Sequence, residues 1–204
     1  MQNPANMSLL GNVTWAISNL CRGKPAPDMA LVAPAIEPLA ALLHKEVSVG
    51  VLVDAVWALS YLSDGPNERI ERVMQTGVTA KLVEFLEDKT SLLLIPTIRC
   101  LGNFVTGNDA QTQAVLDAGI LNHLSELLDS PRRTIRKESC WLASNILCRY
   151  EPTDQFVDAP GRCDATTGRE RESGRVGDPQ ESFVDAFQRV HNWYRQPCDG
   201  FDSV

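Results

Sequence analysis

The stretch Thr14–Gly23, TWAISNLCRG, decides the fold, because it comes back three times in altered form. It reads VWALSYLSDG at Val56–Gly65, IRCLGNFVTG at Ile98–Gly107 and CWLASNILCR at Cys140–Arg149, each copy 42 residues after the last. Trp15, Trp57, Arg99 and Trp141 therefore share one register, and Asn19, Tyr61, Asn103 and Asn145 follow four residues later. The small positions Ser18, Ser60, Gly102 and Ser144 keep step, as do the apolar sets Ile17, Leu59, Leu101, Ala143 and Leu20, Leu62, Phe104, Ile146.

Working outward, Leu43, Phe85 and Leu127 mark an amphipathic helix before each copy, and Gly77 and Gly119 mark the turn ahead of it. Gly23, Gly65 and Gly107 stand where a left-handed residue would close each long helix. A short leading helix is expected at Val49–Val51 and Arg133–Ile135, and no strand is predicted. A period of 42 lies within the roughly 40–47 residues of HEAT and armadillo units. One such unit cannot bury its apolar face alone, so neighbours stack. The predicted fold is all-α, a right-handed superhelical armadillo solenoid of about four units over residues 1–147, with a concave surface as the functional face.

Residues one turn apart on a helix share a face, so each Trp projects beside its Asn. Position i−3 adds Asp54 before Trp57 and Glu138 before Trp141. Asn offers a donor and an acceptor to a peptide backbone, whatever its sequence. Tryptophan rings form slots for the aliphatic stems of Lys or Arg, with cation–π attraction of roughly 0.5–2 kcal/mol. Regularly spaced Trp on a helix is ordinarily core. Asn recurring one turn away is poor in a helix interior and costly to bury unpaired, which favours a wet, ligand-facing row.

The 204-residue chain is 44% hydrophobic with a formal charge of −7, a balance that suits basic partners and opposes a nucleic-acid surface. Six cysteines without CxxC pairs read as reduced thiols. His44, His123 and His191 lack partners at metal-ligand spacing. No nucleophile motif, GxGxxG or GxxxxGK[ST] occurs, so neither an enzyme nor a cofactor is expected. No run of eighteen apolar residues or signal segment is present, and a soluble intracellular protein without membrane insertion is expected.

Thr14–Gly23, Tyr61–Ile70 (YLSDGPNERI), Gly102–Gly119 (GNFVTGNDAQTQAVLDAG) and Lys137–Ile146 (KESCWLASNI) closely resemble the importin-α family over about residues 8–146, similar to its fourth to seventh repeats. The resemblance implies an adaptor, cytoplasmic and nuclear, that binds Lys/Arg-rich nuclear localisation signals and engages importin-β through a segment absent from this sequence. It implies that Trp15, Asn19 and Arg22 belong to the inner end of a major peptide site, with Asp54 and Trp57 bordering the stretch between sites. It implies that Tyr61, Arg99, Asn103, Asp109, Glu138, Trp141 and Asn145 belong to a minor site. In the family the counterpart of Arg99 interrupts the Trp row, where a guanidinium is expected to pair with neighbouring acids. A different reading is an armadillo scaffold or defunct fragment that holds other proteins without transport.

The resemblance stops after Ile146. Residues 148–204 contain no Leu, Ile, Lys or Met and are rich in Gly, Pro, Arg and acid. This tail is expected to be disordered from Glu151 to Gln180, with one amphipathic helix over Ser182–Gln196. Its abrupt start suggests a truncated or frame-altered gene product.

Overall fold

A computed structural model describes residues 4–88 and 92–149. The predictions for the 148–204 tail fall, beyond Arg149, outside those residues. The elements are α1 (Pro4–Cys21), α2 (Met29–Val32), a 3-10 turn (Ala33–Ala35), α3 (Ile36–Leu42), α4 (Val49–Ser63), α5 (Asn67–Met74), α6 (Val78–Glu84), α7 (Leu94–Phe104), α8 (Asp109–Asp117), α9 (Leu121–Leu128) and α10 (Arg133–Arg149). No strand occurs among the described residues.

The repeat becomes two kinds of layer. The long helices α1, α4, α7 and α10 pack side by side in chain order, carrying the Trp and Asn registers. The helices α3, α6 and α9 pack on the long helix that follows each of them. Between them runs one continuous core. Leu59, Leu62, Ile98, Leu101, Phe104, Leu142 and Ile146 have no accessible surface, each Leu-sized side chain contributing roughly 1.5–3 kcal/mol by leaving water. Cys100 is wholly buried, Cys21 and Cys140 nearly so, and Cys148 is exposed; all four are free.

Two local expectations change. Val49–Val51 and Arg133–Ile135 are not separate helices but the first turns of α4 and α10. At α4 the Ser48 hydroxyl accepts from the Val51 amide, so the chain starts helical there and stays so. The short leading helices are α2, α5 and α8, and α8 opens with a reciprocal capping box between Asn108 and Gln111.

The glycines also divide. Gly77 and Gly119 occupy the turns predicted before α6 and α9 and are left-handed there, with φ of 77° and 90°. Gly23 and Gly107 are not left-handed, and Gly65, at φ 155°, is not in the left-handed helical region. Gly107 sits at a close approach instead: a Cβ there would lie 1.9 Å from Gln111 Oε1 and 3.0 Å from Phe104 O. Gln111 folds over that gap and donates to Asn67 O at 3.1 Å and Glu71 Oε2 at 3.0 Å on the preceding unit. Arg69, one period earlier, crosses Gly65 and donates to Pro27 O. Each of these leading helices is thus tied back to the unit before it.

Candidate functional site

The Trp and Asn registers lie along α1, α4, α7 and α10, but their members do different things. Trp15 is 60% exposed, and Asn19 beside it donates to the Trp15 carbonyl at 2.8 Å. Arg22 follows the helix, exposed. On α4, Trp57 and Tyr61 stack, ring centroids 5.7 Å apart and planes 19° from parallel. Asp54, half-buried one turn before Trp57, has its carboxyl pushed up by desolvation alone. A cation placed beside it would relieve that cost.

Arg99 on α7 reaches across to α10. Its guanidinium meets Glu138 Oε1 at 2.5 Å and sits 5.4 Å from the Trp141 ring centre, while Glu138 is only 14% exposed. The expected pairing of this arginine with a neighbouring acid is therefore present. Trp141 also leans on Gly102, where a Cβ would stand 2.1 Å from its Cζ3 atom. Beyond it, Asn145 has a buried amide nitrogen with no partner among the described residues. Asp109 opens α8 and is exposed, outside the layer of long helices.

Asn103 corrects the expectation of a uniformly wet row. It is 7% exposed, and its amide donates to Ser60 O at 2.7 Å and more weakly to Ser63 Oγ at 3.5 Å. Its first task is to join α7 to α4. The serine row has a role that sequence reasoning missed: Ser18, Ser60 and Ser144 each donate to the carbonyl of the Trp three residues earlier, at 2.8–3.0 Å. A recurring Ser at i+3 from Trp was the available signal. Sequence reasoning also missed a cavity of about 640 Å³ between the ends of α1 and α4, lined by Cys21, Arg22, Lys24, Tyr61 and Asp64 among others. No described group of His, Cys, Asp and Glu could hold a metal ion, and no described helix is long and apolar enough to cross a membrane.

Against known proteins, the armadillo/beta-catenin-like repeat model matches residues 24–64 and 108–148. Importin subunit alpha-1a of Oryza sativa subsp. japonica is 48% identical over 152 residues, 74% of this chain and 29% of that protein. Importin subunit alpha-3 of Arabidopsis thaliana is 45% identical over 136 residues, 66% of this chain and 25% of that protein. This chain is an armadillo-repeat relative of importin-α. It spans less than a third of the length of these relatives. Among solved structures, a designed armadillo repeat protein in complex with the peptide (KR)4 superposes with a TM-score of 0.64 at 23% identity, covering 90% of this chain and 76% of that one.

Proposed function

We propose that this importin-α relative binds Lys/Arg-rich nuclear localisation peptides along its long-helix face, as a receptor module of nuclear import working between cytoplasm and nucleus. The observation that carries the reading is the buried amide of Asn145 one turn from Trp141, a donor left without an acceptor among the described residues. An extended peptide supplies carbonyl acceptors at regular spacing.

The geometry supports the following division of labour. Trp15, Trp57, Tyr61 and Trp141 give aromatic walls, Asn19 and Asn145 address the peptide backbone, and Asp54 and Glu138 select cationic heads. Asp109 adds negative charge at the rim, and Arg22 borders the peptide path. Asn103 acts through Ser60 by fixing α7 against α4, and Arg99 holds Glu138 until a peptide cation competes for it. The net charge of −7 favours encounter with basic segments and makes it salt-dependent.

Fluorescence anisotropy of a labelled Lys-rich localisation peptide tests the reading. We expect a dissociation constant of about 1 μM or lower, worth roughly −8 kcal/mol, weakened about tenfold by Asn145→Ala and weakened by salt. A helical, monomeric protein that binds no such peptide would instead be a scaffold for other partners.

A further inference from the structure

The unit carrying α7 departs from the repeat at two positions on one face: Arg99 stands in the Trp register and Gly102, one turn later, in the Ser register. Both departures touch the same side chain on the next helix. Where the other units place a serine, a Cβ on Gly102 would stand 2.1 Å from Trp141 Cζ3, 2.7 Å from Cε3 and 3.0 Å from Cη2. The indole thus occupies the volume of the missing side chain. Arg99 covers the same ring at 5.4 Å and extends to Glu138, the residue one turn before Trp141. Asn145, one turn after it, keeps its unpaired amide.

From these contacts we infer that Gly102 is the positioning residue of the Trp141 site: its bare backbone seats the indole against α7, and only a seated indole lets Arg99 cover the ring while holding Glu138. The two departures are one device. An arginine in the Trp register without a glycine below it would find the indole pushed outward. A glycine without the arginine would leave Glu138 unguarded. The consequence for binding rests on the peptide-receptor reading above: Gly102 fixes how far Trp141 stands from Asn145 and Glu138, and so which peptide side chain fits between them.

Helix propensity alone gives the opposite expectation, which makes the test a question of sign. Glycine is the poorest non-proline residue in a helix interior, so Gly102→Ala at an unobstructed site raises Tm. We expect Gly102→Ala to lower Tm in the full chain and to raise it in a Trp141→Ala background. If the single variant does not fold while the double variant does, that rescue supports the seat equally. A second readout follows the ring itself: with Trp15, Trp57 and Trp193 replaced by Phe, Gly102→Ser is expected at least to double acrylamide quenching of Trp141. A rise in Tm for Gly102→Ala with Trp141 present, or unchanged quenching, overturns the seat. In the peptide titration Gly102→Ala is expected to weaken binding at least fivefold, and unchanged affinity overturns its role in binding. Should the unmodified chain bind no basic peptide, the receptor reading fails, while melting and quenching still decide the seat.

Discussion

The first and second long helices carry the same stripe and treat it differently. Leu9, Val13 and Leu20 of α1 lie one period before Val51, Ala55 and Leu62 of α4. The α1 residues are 62%, 46% and 74% exposed, whereas their α4 counterparts are 3%, 0% and 0% exposed. Residue type barely changes between them; neighbours do. On α4 the stripe lies among α1, α3, α5 and α7, whereas α1 packs chiefly on α4 alone. Burial in a stack of this kind is a property of the joint between units more than of the unit, as nearest-neighbour repeat energetics require.

The sharpest way to break that comparison is to charge both helices at the matched position. Leu62→Lys should cost at least about 3 kcal/mol, since it strands an unpaired cation in a closed core. Leu20→Lys should stay within about 0.5 kcal/mol. Chemical denaturation followed by circular dichroism measures both, and equal losses would mean the α1 stripe is covered in solution. A smaller contrast lies in the asparagines. Asn103→Ala removes a buried donor from Ser60 O and should cost about 1–3 kcal/mol, while Asn19→Ala removes only an exposed bond within its own helix and should cost far less. Denaturation midpoints of the two variants check this.

The gentlest probe is thiol labelling. Burial pushes the Cys100 thiol up to about 12, despite help from Ser63, while Cys148 is exposed. Peptide mapping after limited alkylation at pH 8 should find Cys148 modified and Cys100 protected until denaturant is added. Early modification of Cys100 would show that the core opens on the labelling timescale.

How much of this was legible beforehand depended on whether a feature repeats. The 42-residue register fixed the long helices, their shared face and the joints at Gly77 and Gly119, because periodic side chains report periodic neighbours. What the register hides is the occasional long reach between units. Asn103 reads like Asn19 in sequence, yet one joins two helices and the other donates to Trp15 O within its own helix. Gly107 looks like a left-handed cap but leaves room for the Gln111 side chain. Val49 and Arg133 open long helices because nothing interrupts them, whereas α5 and α8 are short segments of eight and nine residues. The Arg99 pairing was anticipated; the glycine beneath Trp141 was not, since sequence alone does not say which ring an empty position admits.

The ties between units also carry a mechanical meaning. Between the α4 and α7 units the stack is pinned at both edges, by Arg69 on Pro27 O and by Asn103 on Ser60 O, both to backbone carbonyls that cannot swing away. Between the α7 and α10 units one edge is pinned by Gln111, but the other relies on a side-chain ion pair whose arginine is 44% exposed. Mobile ions reach the exposed side of such a pair more readily than a carbonyl tie in the core, although the burial of Glu138 limits the screening. Of these two joints, the one beside Trp141 is therefore the one whose polar tie reaches solvent, through the exposed side of Arg99.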